Sequence, residues 1–277
     1  MVTLTQSILL TGASGAGKST LIRGALEYYG SGMVLLAPGT DEGDSYIGLE
    51  GDNYTYKGFD DIFFHPELKE WNATGHSDMV RWLQDMYKLL KSDVDAGKAP
   101  RYAVLGVDTL SAVGRLAYNA TLAKFKIPEP PAAIGSSGAP FYSSLRITLE
   151  SGVRLMRAIR GLGVHWVVAS HPTTAEATAI NTMADGAGKD RVMPDLPGGF
   201  KNQLPSFFTT VLDVNIANGG KHYVRWSGDP KRVTKSRLGA LSSTGKIDLP
   251  DGALASWKAV VGPIEAAMEK LRNGGNG

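Results

Sequence analysis

The stretch Ser7-Ile-Leu-Leu-Thr-Gly-Ala-Ser-Gly-Ala-Gly-Lys-Ser19 decides the fold of this chain, because it leads from a buried strand through a glycine loop into a helix. The apolar run 7–11 is typical of a buried strand. In 19–29 the apolar residues recur at helical spacing, and a glycine follows the last of them. A second short apolar run, 33–37, predicts another buried strand. The order strand, loop, helix, strand indicates an α/β sheet.

The loop between the first strand and the helix fits the phosphate-binding pattern G-x-x-x-x-G-K-[ST] at every position. Its glycines let backbone N–H groups surround a phosphate, and the positive end of the helix faces the same point. In this pattern Lys18 reaches the β- and γ-phosphates, and the Ser19 hydroxyl binds Mg²⁺. The sequence therefore predicts a nucleoside triphosphate site with Mg²⁺. The residues predicted to bind the nucleotide are Gly12, Ala13, Ser14, Gly15, Ala16, Gly17, Lys18, Ser19 and Thr20.

Asp108 is the second candidate of this site, because it ends the apolar run 102–108. A carboxylate at the end of such a strand can hold Mg²⁺ through water, as the Walker B aspartate does. Ser19 and Asp108 are thus the predicted metal site; the alternative is an aspartate that only caps the next turn. The chain has no Asn-Lys-x-Asp motif, no Asp-x-x-Gly after the strand and no Leu-Ser-Gly-Gly-Gln motif. These absences argue against GTPases and ABC transporters.

Composition and charge exclude further classes of protein and of site. The 277 residues carry a net charge of +2, so no global positive field draws the chain to nucleic acid or to an anionic membrane. The absence of cysteine excludes disulfides, thiolate metal sites and cysteine nucleophiles. The apolar runs are too short for a membrane span, and the first residues do not follow a signal-peptide pattern. We therefore expect no membrane association and a cytoplasmic location.

The ordered set of patterns resembles the RecA-like P-loop ATPases. More narrowly, it is similar to the bacteriophage-type RecA-like nucleotide-binding proteins linked to DNA recombination and single-strand annealing. The similar features are the P-loop, Asp108-Thr-Leu-Ser, a strand that ends Ala169-Ser-His171, a long loop, a β-hairpin and Thr234-Lys-Ser-Arg237. They extend over roughly residues 5–240.

The resemblance implies an α/β fold with a RecA-like P-loop NTPase core. We expect a mostly parallel central sheet flanked by helices, with an antiparallel hairpin toward the C-terminus. This core would take residues 1–246, and a helical tail would take 247–277. The resemblance also implies ATP as the nucleotide and, for a phage-encoded chain, the cytoplasm of a bacterial host.

The resemblance gives five further residues a role in hydrolysis. His171 matches the residue that senses the γ-phosphate; the alternative is a histidine bonded only to backbone. Glu42 matches the glutamate that polarises the attacking water, although three extra residues precede the acidic pair, and Asp41 is the alternative. Lys235 and Arg237 resemble the pair that such ATPases insert into a neighbour's site. Because side chains alternate along a strand, Lys235 and Arg237 would lie on the same face. The alternative is that both are solvent-exposed strand residues without a catalytic role.

Two long loops, 124–142 and 173–206, occupy the positions of the two DNA-contacting loops of the family. The resemblance thus implies single-stranded DNA as a partner; the alternative is that both are ordinary surface loops. The basic residues expected to meet its phosphates are Lys124, Lys126, Lys189, Arg191 and Lys201. Phe125 and Phe141 are expected to stack on bases.

Charge is distributed unevenly along the chain. Segment 38–78 holds ten carboxylates against two lysines, and segment 201–246 holds eight basic residues against two aspartates. A head-to-tail contact would pair the two segments once per interface and repeat into a ring or filament of identical subunits. The sequence thus predicts a Mg²⁺-dependent ATPase that acts on single-stranded DNA in recombination or annealing. The alternatives are a small-molecule P-loop kinase and a phage assembly or packaging factor that uses nucleotide as a switch.

Overall fold

A mostly parallel sheet forms the centre of the chain. The computed structural model describes residues 5–36, 41–58, 74–128, 131, 138–176, 190–197, 199–226, 235–236 and 245–272. The strands, in chain order, are β1 (Ser7–Thr11), β2 (Gly32–Leu36), β3 (Tyr54–Lys57), β4 (Val104–Asp108), β5 (His165–Ser170), β6 (Pro172–Glu176), β7 (Asp190–Pro194), β8 (Thr210–Ile216), β9 (His222–Arg225), β10 (Lys235–Ser236) and β11 (Lys246–Asp248).

The order of the main sheet within the described residues is β11-β9-β8-β1-β5-β4-β2-β3. The pairs from β8 through β3 are parallel. β9 and β10 run antiparallel to β8, and β11 runs antiparallel to β9. The structure confirms the predicted fold class: a mostly parallel α/β sheet with an antiparallel hairpin toward the C-terminus. β6 and β7 form a separate two-stranded antiparallel sheet.

Helices cover both faces of the main sheet. They are α1 (Lys18–Tyr29), α2 (Thr74–Asp95), α3 (Leu110–Phe125), α4 (Gly138–Gly161), the short α5 (Phe200–Gln203) and α6 (Ala253–Arg272). Short 3-10 helices lie at Asp41–Tyr46 and Leu204–Phe207. α1 and α6 share one core cluster, and α2, α3 and α4 share the other. No helix in the described segments combines the length and the apolarity that a membrane span needs.

Side chains alternate between the two faces of β1, so this short apolar run contributes to two core clusters. Ile8 and Leu10 belong to the cluster of α1 and α6, whereas Leu9 belongs to the cluster of α2, α3 and α4. All three are fully buried, as expected for a parallel strand covered on both faces. On α1, Gly24 lets α6 approach closely, because a Cβ there would collide with the backbone of Ala253. The division of the chain at residue 246 stays a prediction.

Several elements differ from the sequence prediction. The helix α3 and the strand β3 are not among the elements predicted from the sequence. The predicted loop 124–142 is partly helical, because α4 already begins at Gly138. Pro140 suggested a loop, but proline is tolerated in the first turn of a helix. The predicted loop 173–206 contains β6, β7 and α5, and its short strands of mixed composition show no regular apolar alternation.

The pair Gly262-Pro263 in the last helix is one that usually interrupts a helix. Instead α6 continues through Pro263. A proline ring normally clashes with the Cβ of the preceding residue in helical conformation. Gly262 has no Cβ, which removes that part of the clash and lets the helix continue.

Candidate functional site

The loop between β1 and α1 has the geometry of a phosphate cradle. Gly15 and Gly17 have positive φ angles of 75° and 100°, a region in which residues with a Cβ are strained. Gly17 caps α1 without any side-chain hydrogen bond. The first backbone N–H groups of α1 therefore have no side-chain cap, and with the positive end of the helix they can bind an anion.

Lys18 lies inside this cradle. Its side chain is buried, and Nζ donates to the carbonyl oxygens of Gly12 at 2.9 Å and Ala13 at 2.8 Å. The Lys18 ammonium group is thus held against the phosphate-binding loop. A phosphate bound by the loop would find this charge within its own binding site.

Asp108 lies at the carboxyl end of β4 and is fully buried. Tyr46 Oη donates to Asp108 Oδ2 at 2.8 Å, and the Ser19 hydroxyl lies close enough to the same carboxyl group to lower its pKa. Burial raises the pKa of Asp108, while the hydroxyl groups of Ser19 and Tyr46 and the charges of Lys18 and His171 oppose that rise. The structure therefore brings the two predicted metal residues together.

The arrangement fits a magnesium ion. Among the described residues, Asp108 Oδ1 is buried and has no hydrogen-bond partner, so this oxygen remains able to accept from a metal-bound water. No group of three or more histidines or carboxylates in the described part of the chain is arranged to hold a metal. Ser19 and Asp108 would thus hold Mg²⁺ together with phosphate oxygens. When bound, the ion neutralises charge on the phosphates.

His171 directly follows β5. It lies between Lys18 and Asp108 on one side and the β6–β7 sheet on the other. Burial, with the charge of Lys18 next in size, lowers the pKa of His171, and Asp108 opposes that shift. The backbone of His171 is fixed on both sides: its N–H donates to Ser111 Oγ at 3.1 Å, and its carbonyl accepts from the Asp195 N–H at 2.7 Å. The predicted sensor thus lies in the electrostatic environment of Lys18 and Asp108.

The remaining candidates are only partly located. Asp41 and Glu42 open the 3-10 helix whose last residue, Tyr46, contacts Asp108, but their side chains lie outside the described residues. Lys235 is paired with β8 in β10, and its side chain is likewise outside the described part. Arg237 lies outside the described residues altogether. The roles of these four residues stay predictions.

The DNA prediction is wrong at one aromatic residue. Phe141 is fully buried and is not free to stack on bases, whereas Phe125 is partly buried against the same core and its stacking stays a prediction. Both were assigned to a loop, but they lie in α4 and α3. The Lys124 ammonium donates to Ser144 Oγ at 3.0 Å, which ties this predicted phosphate contact to α4.

Three residues of the site were missed in the sequence. Tyr46 contacts Asp108 across 62 positions of the chain, a separation at which no local pattern signals a contact. Ser111 hydrogen-bonds the Ser170 side chain and the backbone N–H of His171. It belongs to the pattern Asp108-Thr-Leu-Ser, which by itself predicts no role for it. His222 Nδ1 lies 2.9 Å from the carbonyl oxygen of Ala16, and the β8–β9 hairpin therefore closes over the P-loop.

One comparison with known proteins identifies the family of this chain. The sequence profile of a family described as an AAA domain, AAA_24, matches residues 4–238, which is most of the chain. The chain belongs to this AAA domain family. It is an AAA-type P-loop ATPase domain.

One solved structure similar to this AAA domain is described as a prototypical ATPase from the type III secretion system of pathogenic bacteria. The two chains are 15% identical with a TM-score of 0.41, over 77% of this chain and 52% of the other. The AAA domain thus spans about half the length of that ATPase. The search of curated proteins found no match to this chain.

Proposed function

We propose that this AAA domain hydrolyses ATP with Mg²⁺ and uses the energy to act on single-stranded DNA in recombination or annealing. The observation that carries the hydrolysis is the convergence of Lys18, Ser19 and Asp108. Two separate segments meet there: the P-loop with the first turn of α1, and the end of β4. A structural nucleotide site would not need a buried carboxyl group with one oxygen left unpartnered among the described residues.

Each residue has a distinct task in the proposed reaction. Lys18 places a positive charge on the transferring phosphoryl group and offsets its negative charge. Ser19 and Asp108 hold and orient Mg²⁺. Tyr46 keeps the Asp108 carboxylate in place through its hydrogen bond. Glu42, or Asp41 in its place, would polarise the attacking water from the 3-10 helix that Tyr46 ties to the site.

The link to DNA runs through His171. Its backbone carbonyl accepts from the N–H of Asp195, the residue directly after β7. The same histidine directly precedes Pro172, the first residue of β6. A change at the γ-phosphate that moves His171 would therefore act on both strands of the β6–β7 sheet. This connection supports a DNA-binding loop at 173–206 whose position depends on the nucleotide.

The proposed working form is a head-to-tail ring or filament. The acidic segment 38–78 carries the 3-10 helix next to Asp108, and the basic segment 201–246 carries Lys235 and Arg237. Opposite charges on different faces favour a contact that does not close after two copies. In such a contact Lys235 and Arg237 would approach the neighbour's γ-phosphate and supply a positive charge in trans.

One experiment tests this proposal as a whole. The rate of ATP hydrolysis is measured with and without single-stranded DNA, and the mass in solution is measured with and without ATP. We expect a rate that rises with DNA and a mass that rises with ATP. Hydrolysis without any response to DNA, by a chain that transfers phosphate to a small molecule, would support a kinase. ATP-dependent assembly with no DNA effect would support an assembly or packaging factor.

A further inference from the structure

Arg23 joins α1 to the 3-10 helix that ends at Tyr46. Its Nη1 atom donates to the carbonyl oxygen of Ser45 at 3.2 Å and to that of Ile47 at 2.9 Å. These two carbonyl groups lie on either side of Tyr46, whose hydroxyl donates to Asp108. One nitrogen of the guanidinium group therefore holds the backbone directly before and directly after the residue that contacts the predicted metal site.

The guanidinium group is itself fixed in orientation. Its Nε donates to Glu27 Oε1 at 2.7 Å, four residues further along α1. Nε carries one hydrogen and Nη1 carries two, so each of the three contacts of Arg23 uses a different hydrogen. Because the group is planar, the bond of Nε to Glu27 also sets the direction in which Nη1 donates. A partly exposed ion pair of this kind adds little stability by itself, so its main effect is on orientation.

Helical spacing brings these contacts to the nucleotide site. Ser19, Arg23 and Glu27 follow one another at intervals of four residues and so lie along one face of α1. The Ser19 hydroxyl lies close to the carboxyl group of Asp108, and Arg23 holds the segment from which Tyr46 reaches the same group. One face of one helix thus acts on Asp108 both directly and through Tyr46.

The segment that Arg23 holds has weak support from its own backbone. The Ile47 N–H donates to the Asp44 carbonyl oxygen at 3.3 Å, and the Leu49 N–H donates to that of Tyr46 at 3.1 Å, both at the long end of the usual range. The side chains of Tyr46 and Leu49 are buried, but that of Ile47 between them is 67% exposed and adds little packing. The contacts of Arg23 therefore carry much of the order of this backbone.

We propose that Arg23 is a positioning residue of the nucleotide site. It acts through Tyr46 and keeps the Asp108 carboxylate in the orientation that Mg²⁺ requires. The inference rests on the proposed function, because it takes ATP with Mg²⁺ as the ligand. It gives a role in the site to an arginine that belongs neither to the P-loop nor to the strand-end motif of Asp108.

The Mg²⁺ concentration for half-maximal ATP binding is measured in the full chain, in Arg23→Gln, in Tyr46→Phe and in the double variant. We expect Arg23→Gln to raise it about fivefold. The double variant should match Tyr46→Phe, because Arg23 acts through the hydroxyl group that Tyr46→Phe removes. Arg154→Gln is the matched control, since it also removes an arginine that pairs with a glutamate four residues away, on α4.

A second variant separates the charge of Arg23 from its geometry and serves if Arg23→Gln fails to fold. Arg23→Lys keeps the positive charge but lacks the planar group that bonds Glu27 and both carbonyl oxygens. It should therefore raise the Mg²⁺ requirement as well. Deuterium uptake at 44–49, measured without metal or nucleotide, should be faster in Arg23→Gln than in the wild type and unchanged in Arg154→Gln.

Three results would overturn the positioning role alone. They are wild-type Mg²⁺ dependence in Arg23→Gln or Arg23→Lys, a shift in the double variant equal to the product of the two single shifts, and unchanged deuterium uptake in Arg23→Gln. A wild type that shows no Mg²⁺-dependent binding of ATP would overturn the proposed function together with it.

Discussion

Tyr46 and Asp108 are joined by a buried hydrogen bond of 2.8 Å from the phenol to Oδ2 of the carboxyl group. Tyr46 is only 4% exposed, and Asp108 is not exposed at all. The bond connects the 3-10 helix Asp41–Tyr46, which begins with the candidate catalytic acids, to the end of β4. The position of those acids therefore depends on the residue that is predicted to hold the metal.

Removing this bond should weaken the metal site without unfolding the chain. In Tyr46→Phe the Asp108 carboxylate loses the hydrogen bond from the Tyr46 hydroxyl, so its orientation is less fixed. We expect the Mg²⁺ concentration for half-maximal ATP binding to rise about tenfold, the effect of about 1.4 kcal/mol. A Mg²⁺ titration of ATP binding measures it. Tyr56→Phe is the control, because Tyr56 donates instead to the Leu49 carbonyl oxygen. Equal Mg²⁺ dependence in the two variants would contradict the role of Tyr46.

Binding to single-stranded DNA should be strongly dependent on salt. If 173–206 contacts phosphates, affinity should fall steeply between ~50 and ~200 mM salt, because bound counterions are released. The double change Lys189→Ala and Arg191→Ala should weaken binding and flatten this slope. Fluorescence anisotropy of a labelled oligonucleotide, with ATP present, measures both effects. Lys88→Ala with Lys98→Ala, two exposed lysines of α2 and the residues after it, is the control with the same loss of charge. No retention of DNA at ~50 mM salt would remove DNA as a partner.

Arg237 should act on the neighbouring subunit. Arg237→Ala is expected to keep ATP binding and to lose most turnover, because the charge supplied in trans is missing. Mixing Arg237→Ala subunits with Lys18→Ala subunits should restore part of the activity, since an intact composite site can form between them. The rate of the mixture, measured against each variant alone, decides the matter. A mixture no faster than its components, or an Arg237→Ala variant with native turnover, would refute the trans contact.

His165 should make the stability of the fold dependent on pH. Burial, aided by Arg160, lowers the pKa of His165 to about 4. Between that value and about 6.5 the unfolded chain binds a proton that the folded chain does not, so the free energy of unfolding falls as the pH falls. The loss over this window is at most about 3 kcal/mol.

The variant His165→Phe isolates this effect. Its ring can still stack on Tyr29, whose ring centroid lies 4.0 Å from that of His165, but it cannot titrate. Urea unfolding of both proteins from pH 7 to pH 4.5 measures the free energy of unfolding. We expect the variant to lose less stability than the wild type below pH 6.5. Parallel pH profiles would show that His165 binds its proton equally well in both states.

The sequence predicted the parts of the fold and the site that depend on local pattern. The strand, glycine loop and helix from Ser7 to Tyr29 follow from short apolar runs and one motif, because strand burial and phosphate binding impose residue types at fixed spacing. Asp108 was predictable for the same reason, since it follows directly on an apolar strand. The pairing of Ser19 with Asp108 follows from the parallel sheet that those patterns indicate.

The parts that could not be predicted depend on contacts between distant segments. Tyr46 and His222 reach the site through tertiary structure, and neither stands in a motif. The β6–β7 sheet pairs short strands of mixed composition, which show no regular apolar alternation. Phe141 was placed in a loop because of nearby prolines, although its burial in the core fixes the first turns of α4.

Release of phosphate from ATP, with and without Mg²⁺, tests the central claim most directly. The wild type is compared with Lys18→Ala and Asp108→Asn, with Lys88→Ala as a control on the surface of α2. We predict Mg²⁺-dependent release by the wild type and the control. We predict no release by Lys18→Ala, with weakened ATP binding, and no release by Asp108→Asn, with much of the ATP binding kept. Release by Lys18→Ala or Asp108→Asn at the wild-type rate would contradict the claim that these two residues carry the chemistry.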